Sequence, residues 1–344
     1  MKRLTDVPRN QILVGDALHH LRRQPSDSVD MVLTSPPYFR LRDYEVSGQL
    51  GKESHVDRWV ESLREVSREL QRVLLPTGTL WLNLADTYSI HASQGTGRKG
   101  LLLGPERLAL ALAADGWLLR NKIVWAKTNP MPSSVRDRLT ASWEAIYVFT
   151  RMPRYFFDLD AIRVPHRSTG RAKPDPTIQP RTRREAWRGP NGPTTTGLDL
   201  LKARGIAGHP LGKNPSDVWR IGSSNYRGTH HATFPVALAE RAILAGSPEA
   251  RCQSCRLPWR RQLIRSIGGS AVCGALGPTC DCHASRESAV VLDPFFGVGT
   301  TGLAAERHGR QWLGIELNPS YAAEASARLA HGPPGAGTPG RRAS

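Results

Sequence analysis

The chain has 344 residues, a formal net charge of +17 and a pI of about 10.3. That length suits one large α/β domain with insertions or two modest domains, and no apolar run is long enough to cross a bilayer. The N-terminus "MKRLTDVPRN" lacks a signal-peptide core, so a cytoplasmic protein without a membrane role is expected. The basic excess favours a polyanion, nucleic acid first, although a coding bias toward Arg, Ala, Pro and Gly would also raise it.

In chain order, "NQILVGDALHHLRRQP" predicts a strand ending near Gly15-Asp16, then a short helix. "SVDMVLTSPPY" predicts a second strand that stops at two prolines. Val56, Trp59, Val60, Leu63, Val66, Leu70 and Val73 recur at helical spacing between charges. "PTGTLWLNLAD" reads as a turn and a buried strand, and "GPERLALALAADGW" as a helix closed by glycine. "LLRNKIVWAK" and "WEAIYVFT" predict two more strands. This alternation indicates a largely parallel sheet covered by helices on both faces.

From Arg163 to Pro215 the chain is rich in Arg, Pro, Gly and Thr and too aperiodic to bury much core. Order is expected again at "NPSDVWRI" and "HHATFPVALAERAILAG". "AVVLDPFFGVGTTGLAAERHGRQWLGIEL" then reads as strand, glycine loop, helix and strand, and "HGPPGAGTPGRRAS" as a disordered tail.

The loop Gly297-Val298-Gly299-Thr300-Thr301-Gly302 fits G-x-G-x-x-G, with Glu316 at the spacing of a ribose-binding acid. A nicotinamide dinucleotide is disfavoured. Such a loop usually opens its domain, whereas here only one strand and helix follow. Asp293 just before it would repel a pyrophosphate. The order fits a circularly permuted cofactor domain. S-adenosylmethionine, with a sulfonium, an ammonium and a ribose, matches the charges, and Glu316 can accept from both ribose hydroxyls. An ordinary βα turn with convenient glycines is the plain alternative.

"LTSPPY" together with "VVLDPFFGVGTTG" resembles the DNA amino-methyltransferases, and having the first motif ahead of the second resembles their β-type, permuted order. The likeness extends to "ILVGDAL", "GTLWLNLADTY", "NKIVWAKTNPMPSSVRDR" and "KNPSDVW…HHATFP". It implies a doubly wound, mostly parallel seven-stranded α/β sheet, with a recognition insertion and a small zinc-binding insertion. The organisation implied is a catalytic half at 1–154, target recognition at 155–213, a cofactor-domain segment at 214–248, a Cys-rich insertion at 249–288, the glycine loop with its strand and helix at 289–330, and the tail at 331–344.

The chemistry accounts for the prolines. An exocyclic amine has its lone pair delocalised into the ring and must move toward tetrahedral geometry to be methylated. Two acceptors aimed at its hydrogens favour that change. Ser35 Oγ and the Pro36 carbonyl are the candidates, with Pro37 holding the turn outside any ladder and Tyr38 offering a face to an extruded base. A strand ended by Pro-Pro beside a surface Tyr is the alternative. By resemblance, Asp16 and Phe295 lie against the cofactor adenine, Thr233 and Phe234 close over its methionine moiety, and Asp293, Pro294, Gly297, Gly299, Thr300, Thr301 and Glu316 complete the cofactor site. A helix cap for Asp16 and core packing for Phe234 are the competing roles. Val298 departs from the family's small Ser or Ala.

Ser at position 35 resembles the cytosine-N4 group, whereas adenine-N6 enzymes more often carry Asp or Asn. The expected activity is therefore direct methyl transfer to N4 of a flipped cytosine in double-stranded DNA. Adenine N6 is the alternative, and a DNA-binding module without activity is the alternative of another class. A cognate restriction endonuclease is a candidate partner.

The five cysteines all lie between Cys252 and Cys282. Cys252, Cys255, Cys280 and Cys282 form two close pairs able to hold a structural zinc, with Cys273 and His283 as substitutes and unrelated thiols as the alternative. No Pro-Cys dipeptide lies near a strand, which argues against a cytosine-C5 enzyme. Target recognition is expected between about Arg151 and Lys213, with its many Arg, Trp187 and His209. Arg136, Asp137 and Arg138 lie near the substrate region without an assigned role.

Overall fold

The computed structural model describes residues 7–166, 188–189, 192–193, 209, 211–224, 233–265 and 271–330. Trp187, most of the Arg-rich stretch and the tail 331–344 lie outside them. The chain divides into two compact units. The first comprises Met1–Asp158, Ser216–Arg260 and Pro278–Ser344; the second comprises Leu159–Pro215 and Arg261–Gly277.

The first unit is built on one sheet. Its strands are β1 (Gln11–Val14), β2 (Val29–Thr34), β3 (Leu74–Leu84), β4 (Leu118–Lys127), β5 (Trp143–Thr150), β6 (Val218–Ile221), β9 (Val290–Asp293) and β10 (Gln311–Glu316). A separate two-stranded ladder pairs β7 (Ala250–Cys252) with β8 (Arg286–Ser288). The main order is β1-β10-β9-β2-β3-β5-β4-β6. Only β5 runs antiparallel to its two neighbours. The C-terminal strands β9 and β10 thus sit between β1 and β2, and the chain's distant parts meet at the sheet centre. All six residues of β2 and all four of β9 are buried, which is why both read as unbroken apolar runs rather than alternating ones.

The sheet has eight strands where seven were expected. The additional β6 pairs in parallel with β4, and Trp219 packs on Trp81 with ring centroids 6.0 Å apart. The indole of Trp125 donates to the Ile221 carbonyl at 2.9 Å, fixing the same edge. A second departure is that β3 begins at Leu74 and runs through the stretch expected to be a turn, with its register against β2 shifting between Val29 and Met31.

Helices cover both faces. On one, α1 (Ala17–Arg22), α2 (Val56–Val73) and α3 (Gly104–Ala114) pack on one another; on the other lie α4 (Val236–Gly246), α5 (Thr300–Arg307) and α6 (Pro319–Ala330). Every apolar residue of the predicted α2 stripe is buried. No helix among the described residues is long and apolar enough to cross a membrane.

Within the second unit, Val164 and Lys213 exchange backbone hydrogen bonds of 3.1 and 2.9 Å, and the Arg163 Nε donates to Asp160 at 2.6 Å. Residues 261–265 pair with Ala271–Gly277.

Candidate active site

The carboxyl ends of β10, β9, β2 and β3 open into one pocket of about 1330 Å³. Parallel α/β sheets place ligands at this end, where strand order reverses. The turn after β2 and the loop after β9 share the pocket because two hydroxyls clamp one acid. Thr34 donates to Asp293 Oδ1 at 2.6 Å, and Thr301 donates to Oδ2 at 2.6 Å. The Phe295 amide also donates to Oδ1, at 3.1 Å. Burial pushes the Asp293 carboxyl up to about 6 against these stabilising hydrogen bonds. Asp293, expected to face a cation, thus spends both oxygens on tying the loops together.

In the glycine loop, Gly297 (φ +54°) and Gly299 (φ +79°) adopt left-handed backbone that a side chain would strain. The Gly297 amide donates to Glu316 Oε2 at 2.6 Å, and the Asn318 amide donates to Oε1 at 2.8 Å. Burial raises the Glu316 carboxyl above its usual range, and its one backbone contact per oxygen leaves further acceptor capacity at the pocket wall. The Gly15 amide bonds to the Glu316 carbonyl at 2.8 Å, bringing Asp16 alongside. Asp16 Oδ1 caps α1 through the His19 amide at 2.7 Å and also lines the pocket, so the capping role and pocket placement coincide.

Phe295, Pro294, Thr300, Thr233 and Phe234 line the same pocket; Gly299 and Thr301 do not, and act instead as the cap of α5 and the Asp293 clamp. Phe234 is also buried, so packing and lining roles overlap. Phe296 turns inward and stacks on Trp312 with centroids 5.1 Å apart. A Cβ on Gly314 would lie 2.4 Å from its ring, which explains the glycine in "WLGIEL". Val298 is buried, its carbonyl accepting from Arg328 at 3.0 Å.

Across the pocket, Ser35, Pro36, Pro37 and Tyr38 form the turn after β2. The Pro37 carbonyl accepts from the Trp59 indole at 2.9 Å, which pins the turn to α2. The Pro36 carbonyl receives no hydrogen bond among the described residues. Tyr38 does more than offer a ring. Its hydroxyl accepts from Ser35 Oγ and from Asn83 Nδ2, each at 2.8 Å, and donates to Glu144 Oε2 at 2.8 Å. Asn83 Nδ2 also reaches Glu144 Oε2 at 2.7 Å, and Lys127 pairs with Oε1 at 2.6 Å. Burial raises the Tyr38 phenol well above its ordinary value, reinforced by the Glu144 charge. Asn83, Lys127 and Glu144 were not singled out from the sequence. Their only signal was a polar residue at the rim of each otherwise apolar strand.

At the other end of β2, Cys252, Cys255, Cys280 and Cys282 place their sulfurs within 4.8 Å of one another. Amides of Ser254 and Cys255 donate to the Cys252 sulfur, and that of Leu257 to the Cys255 sulfur. Arg256 (φ +60°) and His283 (φ +52°), each just after a second cysteine, take left-handed backbone that turns both loops back. Cys273 belongs to the second unit's Ala271–Gly277 strand. Neighbouring Arg251, fully buried, donates to Asp30 at 2.7 Å, the Ser28 carbonyl at 2.9 Å and Glu287 at 2.8 Å; Arg256 donates to the Asp27 carbonyl at 3.0 Å.

The family model described as DNA methylase, of the N6/N4 type, matches residues 29–327. Similar proteins include the type II methyltransferase M.SmaI of Serratia marcescens, 31% identical over 93% of this chain and 90% of that protein. The type II methyltransferase M.XycI of Xanthomonas campestris pv. cyanopsidis is 33% identical over 92% of this chain and 86% of its own. Among solved structures, the DNA modification methylase TTHA0409 of Thermus thermophilus, complexed with S-adenosyl-L-methionine, aligns at TM-score 0.51 and 26% identity, covering 94% of this chain and 96% of that one. The PvuII DNA methyltransferase (cytosine-N4-specific) shares the fold at TM-score 0.57 and 17% identity, over 93% of this chain and 86% of that one. A family match spanning most of the chain, with relatives covering nearly its whole length, places this protein in the N6/N4 DNA methylase family.

Proposed function

We propose that this DNA methylase acts in the cytoplasm on double-stranded DNA, moving a methyl group from S-adenosylmethionine directly to the exocyclic N4 of a flipped cytosine. One observation carries the reading: the Ser35–Tyr38 turn and the Gly297–Thr300 loop open into a single pocket, larger than one drug-sized ligand needs. It has room for a cofactor and a base side by side. The charge of +17 suits the polyanionic substrate.

The pocket fits the cofactor's chemistry. Glu316 has acceptor capacity for ribose hydroxyls, Asp16 lies alongside for the adenine, and Phe295 offers an aromatic edge. Thr233 and Phe234 would close on the methionine moiety. When bound, the cofactor supplies a methyl activated by a sulfonium. The protein supplies position and dryness. Ser35 Oγ and the unengaged Pro36 carbonyl accept the two amine hydrogens, favouring the tetrahedral nitrogen, and Tyr38 supports the extruded base. Ser35 favours cytosine over adenine; the M.SmaI and M.XycI likeness supports a role in restriction–modification, with a cognate endonuclease as partner. The sheet is then the methyltransferase sheet with its first strand, β9, moved to the C-terminal side. The second unit, with the Arg-rich stretch, is the candidate for target recognition.

We also infer a structural zinc on Cys252, Cys255, Cys280 and Cys282. Thiolates around one zinc stand about 3.8 Å apart for bonds of roughly 2.3 Å, compatible with the observed cluster, and amide donors to sulfur stabilise thiolates. The knuckle anchors the start of β2 through Arg251 and Arg256, away from the chemistry.

Incubating the purified protein with S-adenosylmethionine and host DNA, followed by nucleoside mass analysis, tests the function. Failure to bind the cofactor in calorimetry would instead support a DNA-binding module with a lapsed site.

A further inference from the structure

The methylated nitrogen must lose a proton, and the pocket contains a directed path for it. A carboxylate can only accept. Tyr38 therefore commits its single proton to Glu144 Oε2 at 2.8 Å. One lone pair of the phenol is taken by Asn83 Nδ2 at 2.8 Å. Ser35, 2.8 Å away, must then donate its proton to Tyr38, and its own lone pairs remain for an incoming N–H. Asn83 fixes the direction by reaching both the phenol and the carboxylate with one amide nitrogen. Lys127, 2.6 Å from Oε1, holds the carboxylate as an anion.

We propose that Glu144 is the proton sink of the reaction, reached through Ser35 and Tyr38. The proposal deepens the function proposed above and rests on it. As the nitrogen bonds to the methyl carbon, the carbon–sulfur electron pair stays with sulfur and the nitrogen becomes cationic. Its surplus proton passes to Ser35 Oγ, the Ser35 proton to Tyr38 Oη, and the Tyr38 proton to Glu144 Oε2. The sulfonium and carboxylate charges are both consumed, leaving a thioether, a neutral amine and a carboxylic acid. Solvent then takes the proton as Lys127 favours the anion. Burial that keeps the Tyr38 phenol protonated keeps it a carrier rather than a trap. The charged or titratable groups facing Glu144 are Tyr38 from the β2 turn and Lys127 from β4; β3 presents neutral Asn83, and Asp86 beyond it is occupied by the Leu103 and Gly104 amides.

The test compares wild type, Glu144→Gln, Glu144→Ala and Tyr38→Phe in single-turnover methyl transfer across pH, with calorimetric affinity for S-adenosylmethionine measured alongside. Loss of a general base lowers rate by about 10²–10⁴-fold. The expected result is a fall of that order for Glu144→Gln with unchanged cofactor affinity, loss of the acid limb of the pH profile, and partial rescue of Glu144→Ala by formate. Tyr38→Phe keeps the ring and lacks the carrier, so it should slow as well, and it reports even if the Glu144 variants fold poorly. A Glu144→Gln rate within about threefold of wild type overturns the relay, as does a slow variant that keeps the acid limb, or a Tyr38→Phe protein at full rate. If wild type itself transfers no methyl group, the underlying function fails instead, and the two failures are distinct.

Discussion

Thr34 and Asp293 lie 259 positions apart in the chain, and the Thr34 hydroxyl donates to the Asp293 carboxylate at 2.6 Å. With Thr301 on the second oxygen, the bond makes the turn that would hold the target amine and the loop that would hold the cofactor one rigid piece. Thr34→Val keeps the shape and leaves one buried carboxylate oxygen short of a donor. The expected cost is about 1–3 kcal/mol of stability, read as a lower denaturant midpoint, with weaker cofactor binding in calorimetry.

The same carboxyl sets a pH dependence. Its folded value of about 6 stands above the unfolded value near 4. The folded state therefore holds the proton more tightly, and the contribution present below about pH 4 is lost as pH rises toward 6. Asp293→Asn removes that dependence. Chemical melts from pH 4 to 6.5 should show wild type losing stability relative to the variant; parallel curves would refute the assignment. Asp30, also raised to about 6 by burial against the opposing Arg251 charge, stays in both proteins and cancels in the comparison.

Much of this arrangement was legible in the sequence because buried parallel strands leave continuous apolar runs and glycine loops leave glycines. Ser35, Gly297 and Glu316 meet in one pocket as their motifs implied. The Tyr38–Asn83–Glu144–Lys127 network was not legible. Asn83 and Glu144 sit on strands paired antiparallel, with Asn83 opposite Ile146, and no local pattern reports which rim residues of β3, β4 and β5 converge. The role of Asp293 was misread for a similar reason: its partners Thr34 and Thr301 come from different elements. The edge strand β6 was read as ordered, but four residues carry too little pattern to assign them to the sheet.

Gly314 carries a steric prediction. A methyl there would stand 2.4 Å from Phe296, which is itself stacked on Trp312. Gly314→Ala should destabilise by about 1–3 kcal/mol through overpacking. The double variant with Phe296→Leu should recover part of that loss, measured by thermal melting.

Glu316→Gln removes the charge while keeping size. Hydrogen bonds to a charged group contribute about 1.5–3 kcal/mol, so affinity for S-adenosylmethionine should fall roughly 10- to 100-fold in calorimetry. An unchanged constant would place the cofactor elsewhere.

The cysteine cluster predicts one equivalent of zinc per chain by elemental analysis. Chelation should lower the melting temperature, because the loops that bring Arg251 and Arg256 to the start of β2 lose their tie. Cys255→Ser should reproduce the loss, whereas Cys273→Ser should leave zinc content unchanged.

The central claim is answered most directly by feeding the protein S-adenosylmethionine with a deuterated methyl group and host DNA, then identifying the labelled nucleoside by mass spectrometry. The account predicts label on N4 of deoxycytidine, abolished by Ser35→Ala. Label on N6 of deoxyadenosine or on carbon 5 of deoxycytidine, or no label from a folded, cofactor-bound protein, would contradict it.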